Sequence, residues 1–277
     1  MNNGVMVSHE MPLCLMNSIG EKVNDYTYIL LHRYLEDPLY KNVIMGSPGV
    51  NGDPYGWSYL DNSCYELGAS LSNEVLYKAC QEIKPSVVIL PDVLGNASET
   101  FIRTKDFIEQ YPETIEYGMA VIQGNTFDEM VECYQTFRDF RDAYARQFFM
   151  IGIPFVFSWV DKKPSVQAAE RVRLLKYLND NRVIDKNRWH HLLGTWQAFE
   201  FAFYRNYNWI RSIDTSNPIM AAIDGNRYEE GIGLTEKPIA TFDSTFHMPE
   251  SAIDMDLVYH NCSEFRIIVN GGNNERG

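Results

Sequence analysis

Eight short runs of apolar and β-branched residues recur along this chain: PLCLMNS (12–18), TYILLHR (27–33), WSYLDNS (57–63), SVVILPDV (86–93), YGMAVIQ (117–123), QFFMIGIP (147–154), HHLLGTW (190–196) and WIRSIDTS (209–216). Between most of them lie stretches with apolar residues at three- and four-residue spacing, as in Phe127, Met130, Val131, Tyr134 and Phe137. Short strands alternating with amphipathic helices build parallel βαβ units. Helices are expected over 71–84, 97–110, 126–146, 165–180 and 196–208. Their entry signals are Ser70 or Ser72, Asn96 or Ser98, and Thr126 with Glu129 three residues on as a capping box. Eight strands favour a closed α/β architecture, a single (β/α)8 TIM-type barrel, over an open doubly wound sheet, provided that 12–18 is the first strand. The length of 277 residues suits one barrel domain over 1–277, with 270–277 as a frayed polar tail. The stretch 36–56 is rich in Gly, Pro, Asn and Asp, and is expected to form a loop that serves as a lid or rim.

Composition narrows the function classes. No run approaches the roughly 20 apolar residues of a membrane helix, and the first ten residues lack a basic region and a long apolar run, so a soluble, cytoplasmic protein is expected. Cys14, Cys64, Cys80, Cys133 and Cys262 are scattered, odd in number and never in a C-x-x-C pair, which signals neither a disulfide framework nor a zinc ribbon. A formal charge of -13 works against indiscriminate binding to nucleic acid, which requires Lys and Arg at phosphates. The segment 161–188 departs from that average, with Lys162, Lys163, Arg171, Arg173, Lys176, Arg182, Lys186 and Arg188 against four acidic residues. It reads either as a phosphate-facing patch or as a solvated helix face. Asp224-Gly225-Asn226-Arg227 reads as a turn followed by a candidate phosphate contact.

In a (β/α)8 barrel, polar residues at the C-terminal ends of strands face the active-site mouth. Here those ends carry Asp61, Asp92, Gln123 with Gly124, Gly194 and Asp214. Each alone has an ordinary structural reading, as a helix cap or a turn residue. Together they suit glycosidic exchange, in which one carboxylate attacks a sugar carbon and another passes a proton to and from the base. Asp92 and Gln123 offer acceptors for a purine edge, backbone N–H near Gly194 serves its carbonyl, and Tyr65, four residues past Asp61, offers a stacking face. His190 and His191 are adjacent on a strand and point to opposite faces, so one packs and the other faces the mouth, without joint chelation. The Trp and Tyr residues between 189 and 209 are expected to pack against helices.

Three of these segments carry a resemblance to a known family. Leu60-Asp61-Asn62-Ser63-Cys64-Tyr65-Glu66 looks like the D-S-G-G-F/Y-Q segment of the queuine tRNA-ribosyltransferase (tRNA-guanine transglycosylase) family. Gly118 to Gly124 resembles its G-x-V-Q-G strand, and Ile213-Asp214-Thr215-Ser216-Asn217-Pro218 resembles its F-D-x-x-x-P segment. The resemblance spans roughly residues 10–228, in short islands that keep the family's order. It implies that Asp214 is the covalent nucleophile, Asp61 the acid/base, and Tyr65, Asp92, Gln123, Gly124 and Gly194 the base-binding residues, with no redox cofactor. It also implies exchange of guanine for a 7-deazaguanine, and a homodimer, since family members often pair.

The chain departs from the family in ways that bear on its substrate. The C-x-C-x-x-C…H zinc site is missing, with only His260 and Cys262 in that region; Thr-Arg after the proline is Ile219-Met220; and the second glycine of the paired motif is replaced in Gly194-Thr195-Trp196. A metal is therefore not expected, and DNA is favoured over tRNA as the acceptor. The departures resemble the shortened viral and genomic-island transglycosylases that modify DNA. Two other readings stay open: glycosyl transfer or hydrolysis on a free nucleoside or nucleotide, which the negative charge suits, and a non-catalytic barrel that binds nucleic acid or a protein.

Overall fold

The computed structural model describes residues 4–112, 118–140 and 148–271. Eight parallel strands, β1 (Met6–His9), β2 (Thr27–Leu30), β3 (Ser58–Asp61), β4 (Val87–Ile89), β5 (Gly118–Val121), β6 (Phe148–Ile153), β7 (Trp189–Leu192) and β8 (Ile210–Thr215), form one nearly closed (β/α)8 barrel. They are hydrogen-bonded in the order β1-β8-β7-β6-β5-β4-β3-β2. The helices between them are α1 (Leu13–Val23), α2 (Leu31–Glu36), α3 (Pro38–Met45), α4 (Cys64–Leu67), α5 (Asn73–Ile83), α6 (Ala97–Gln110), α7 (Phe127–Asp139) and α8 (Pro164–Asp180). After β8 come α9 (Asn217–Ile223), α10 (Phe242–Thr245) and α11 (Met255–Val269). Strand alternation sorts the core: Tyr26, Tyr28, Leu30, Tyr59, Val87, Ile89, Met119, Val121 and Met150 fill the barrel interior. Val7, Ile29, Leu60, Val88, Ala120, Ile151, Leu192 and Ile213 belong to the core that includes the helix faces.

The first strand is not 12–18. Leu15, Ile19 and Val23 are buried at four-residue spacing on α1, and the strand that pairs with β8 is the preceding Met6–His9. A seven-residue apolar run does not distinguish the two, and the period emerges only over the eleven residues of the helix. The seam between β1 and β2 is bridged largely by side chains: Val7 N donates to Asp25 Oδ2 at 2.8 Å, His9 N to Asn24 Oδ1 at 2.7 Å, and Asp25 N to Val7 O at 2.8 Å. Beside this seam is a cavity of about 610 Å³.

The stretch 36–56 also differs from expectation. Asp37 caps α3 by accepting from Leu39 N (2.8 Å) and Tyr40 N (3.1 Å), with Pro38 at the first helical position, so only the part from Gly46 onward is loop. That loop is fastened to the first residues of β2 and β3, through Thr27 Oγ1 to Pro48 O and Ser58 Oγ to Gly49 O. It therefore lies at the N-terminal end of the barrel, opposite the mouth, and is no lid. Gly49 is required there: at φ +76°, a Cβ would come within 2.4 Å of the Trp57 backbone.

The helices expected over 71–84, 97–110 and 165–180 hold closely. Ser72 caps α5, Asn96 caps α6, and Thr126 accepts from Glu129 N at 3.2 Å. The Glu129 carboxylate bonds to Asn125 N (2.7 Å) and not to the N–H of Thr126, so the box is half formed. The expected helix 126–146 runs to Asp139; residues 141–146 and the tail 272–277 lie outside the described residues. The stretch 196–208 holds a short 3-10 helix, Ala198–Phe203, instead of an α-helix. The sequence reading assigned no element to 255–269, where α11 buries Val258, Cys262, Phe265, Ile268 and Val269. Each fully buried apolar side chain of this kind stabilises by about 1.5–3 kcal/mol.

The basic segment is not one face. Arg171 is buried against Glu200, Arg188 is buried with its guanidinium on Phe137 O (2.9 Å), Arg173 pairs with Glu170 and Lys176 with Asp180. No helix among the described residues is long and apolar enough to cross a membrane.

Candidate functional site

The C-terminal ends of the strands surround a cavity of about 440 Å³. Asp61, Tyr65, Asp92, Gln123, Gly124, Gly194 and Asp214, the seven residues singled out from the sequence, all line it. Glu10, at the end of β1, Glu66 and Asp243 line it too, and Lys237 is the one Lys or Arg among its described lining residues.

Asp214 is buried on β8. Its Oδ1 accepts from Gly194 N at 3.1 Å and lies 2.8 Å from His191 Nε2. Gly194 sits at φ +64°, where a Cβ would come within 2.5 Å of the Phe155 ring, so only glycine brings this N–H to the carboxylate. The loop is held from below: Arg171 donates to Leu193 O (3.1 Å) and Thr195 Oγ1 (3.0 Å), and Thr215 Oγ1 donates to Thr195 O (2.9 Å). Thr195, where the paired-glycine pattern is lost, thus anchors the β7 loop to β8 and α8. The Gly194 N–H is directed at Asp214.

Asp61 closes β3 in a different setting. Burial and the charges of Glu66, Asp214 and Asp92 push its carboxyl well above the usual carboxylate range, against a backbone hydrogen bond from Ser63 N. Glu10 is pushed up in the same way, by burial and then by Asp214, Glu66, Asp61 and Asp243. Two carboxyl groups that favour the protonated form thus share a cavity with Asp214, whose Oδ1 faces an N–H donor.

Asp92 and Gln123 form one unit. Asp92 accepts from Asn62 Nδ2 (2.9 Å) and Gln123 Nε2 (2.6 Å), and Gln123 Oε1 accepts from Gly95 N (3.0 Å). Burial raises the Asp92 carboxyl, and the two amide donors partly offset this. Gln123 therefore fixes Asp92, while its own carbonyl is already engaged.

Above the carboxylates lies an aromatic rim. Tyr65, 54 % exposed, has its ring centroid 5.9 Å from Phe155, which meets Trp196 edge-on at 4.5 Å, and Lys237 Nζ lies 4.4 Å from the Trp196 ring centroid. Trp196 lines the cavity, contrary to the expectation that the aromatics of 189–209 only pack. Trp209 does pack, against His190 at 4.9 Å. His190 also bonds to Tyr134 outside the barrel, and His191 faces inward beneath Asp214, the split that strand alternation requires. Arg227 bonds to His260 on α11 and does not line the cavity.

Sequence reasoning missed Glu10, Phe155, Trp196 and Lys237. Glu10 was legible only with β1 placed correctly, and Phe155 follows the end of β6. Lys237 comes from the long connection after α9, which no strand-end rule reaches. Among the described residues, no group of three or more His, Cys, Asp and Glu side chains is placed to hold a metal ion. No protein-family model matches the chain, and no curated protein matches it.

Proposed function

We propose that this chain is a base-exchange glycosyltransferase that replaces guanine in a nucleic acid, DNA in preference to tRNA, with a 7-deazaguanine. The observation that carries the reading is the contrast between Asp214, whose carboxylate accepts the Gly194 N–H, and Asp61, whose carboxyl favours the protonated form, on the walls of one cavity. Pairs of carboxyl groups in opposed environments divide nucleophile and acid roles between them.

In the first half-reaction an Asp214 oxygen bonds to C1′ as the C1′–N9 bond breaks, and Asp61 gives its proton to the departing base. In the second, Asp61 accepts the N9 proton of the incoming base, N9 bonds to C1′ and the Asp214 ester is released. Atoms and protons balance without a redox cofactor. Asp92, held by Gln123, accepts from the N–H edge of the base, and Tyr65 with Phe155 and Trp196 supplies the stacking surface. A cavity of about 440 Å³ takes one base with its sugar, so a duplex would have to present the guanine extruded from its stack.

The test is incorporation of labelled guanine and 7-deazaguanines into DNA, tRNA and deoxyguanosine in parallel, with Asp214→Ala alongside. Label entering DNA, and falling by about 10⁴-fold or more in Asp214→Ala, is the expected result. Incorporation into deoxyguanosine alone would favour action on free nucleosides, a reading that the six carboxylates around one lysine also suit. No incorporation into any acceptor would overturn the proposal.

A further inference from the structure

Below Asp214, in the closed interior of the barrel, lies a line of polar groups that substrate does not reach. Tyr59 Oη donates to Ser212 Oγ (3.3 Å), Ser212 Oγ lies 2.8 Å from His191 Nδ1, and His191 Nε2 lies 2.8 Å from Asp214 Oδ1. Tyr59, Ser212 and His191 are all 0 % exposed. We propose that this line has one direction of donation, which makes His191 the positioning residue of the Asp214 nucleophile. The role rests on the exchange reaction proposed above; the direction of donation does not.

The direction follows from donor counting. Burial pushes the Tyr59 phenol up to about 12, so it remains a phenol and a donor. A Ser212 oxygen that accepts from Tyr59 has its own hydrogen to place, and His191 Nδ1 is the next polar atom in the line. Ser212 therefore donates to Nδ1, the imidazole proton resides on Nε2, and Nε2–H donates to Asp214 Oδ1. The opposite tautomer would set a nitrogen lone pair against a carboxylate and leave the Ser212 hydroxyl hydrogen without its acceptor. The ring cannot readily turn to escape this assignment: Tyr59, Tyr28 and Tyr26 lie at centroid distances of 5.6, 6.2 and 6.4 Å around it, and the Tyr26 hydroxyl is fixed on Ile213 O at 2.7 Å. With Gly194 N from the other side, Asp214 is clamped by two N–H donors in an orientation that leaves Oδ2 the freer oxygen, since Gly194 N, at 3.2 Å, is its one hydrogen-bond donor among the described residues.

The decisive experiment reads the proton on His191 directly. In protein labelled with ¹⁵N-histidine, with the His191 signals assigned by their loss in His191→Gln, long-range ¹H–¹⁵N correlation at neutral pH is expected to show a protonated Nε2 and an unprotonated Nδ1. Protonation at Nδ1, alone or at both nitrogens, overturns the proposal whether or not the enzyme exchanges bases. The functional arm compares two variants. Gln retains an N–H donor near the Nε2 position, and His191→Gln is expected to lose less than about tenfold in kcat, whereas His191→Leu loses about 10²–10³-fold with KM for the incoming base unchanged. Equal losses in the two variants would reduce His191 to a packing residue. If no acceptor is modified by the wild type, the exchange reading fails and the ¹⁵N spectrum still decides the tautomer.

Discussion

Two of the places where this barrel gathers charge handle it in opposite ways. On the flank, Arg171 of α8 and Glu200 are each 1 % exposed and form an ion pair; Arg171 also bonds to Leu193 O and Thr195 Oγ1, and Glu200 accepts from Tyr204 at 3.0 Å. Every partner there complements the charge it meets. At the mouth, the half-buried Asp61 and Glu10 face Glu66 and the buried Asp92 and Asp214, so that like charges meet. Burying an ion without an opposite partner is costly, and a chain able to pair its charges on the flank has not done so here. On the proposed exchange reading, the flank serves stability and the mouth reactivity. The two are joined, because the flank pair holds the Leu193–Thr195 loop that presents Gly194 N to Asp214.

Removing one partner of the flank pair should have the larger thermodynamic effect. Arg171→Met leaves the Glu200 charge buried and is expected to cost about 3–5 kcal/mol of unfolding free energy in urea titrations. A loss below about 1 kcal/mol would erase the distinction between flank and mouth. Because the arginine also holds the β7 loop, exchange activity should fall even at temperatures where the variant is fully folded.

How much of this was legible in the sequence divides along similar lines. The alternation of strand and helix gave the barrel, and the strand-end rule gave Asp61, Asp92, Gln123 and Asp214, because both depend on local periodicity. The first strand was misplaced because Leu13, Cys14 and Leu15 are apolar in either conformation, and MVSH is too short to announce itself. The basic stretch 161–188 could be read only as a phosphate-facing patch or a solvated helix face, because composition does not reveal that Arg171 and Arg188 turn inward. Lys237 and the clamp on Asp214 depend on tertiary placement, although the inward turn of one histidine of the 190–191 pair followed from alternation alone.

At the rim, the proposed stacking role of Tyr65 predicts a smaller effect. Tyr65→Ala removes a half-exposed ring that lies against Phe155, so the fold should be little changed, while binding of the incoming base weakens by about 1–3 kcal/mol, read as KM. Tyr65→Phe should retain most of the affinity. Equal losses in the two would indicate that the hydroxyl, and not the ring face, is what the site uses.

The smallest expected effect tests the mouth itself. A carboxyl whose folded pKa is raised above its unfolded value binds more protons in the folded state, so it lowers stability as pH rises from the ordinary carboxylate range through the raised pKa. Asp61→Asn removes that group with little change in shape and should melt higher than wild type by a few degrees at pH 7.5, while exchange activity is lost. The variant's advantage should shrink at pH 5, closer to the ordinary carboxylate range, where a raised pKa costs the wild type less. His9 and His190 act in the opposite sense: burial holds them down to about 3 and about 4, so both destabilise the fold as pH falls below the ordinary histidine range. Because both chains retain these histidines, their contribution cancels in the difference between Asp61→Asn and wild type. Thermal melts of the two proteins at pH 7.5 and pH 5 therefore isolate the mouth. An advantage that is the same at both pH values would mean that Asp61 carries no electrostatic strain, and the mouth would then be no different in kind from the flank.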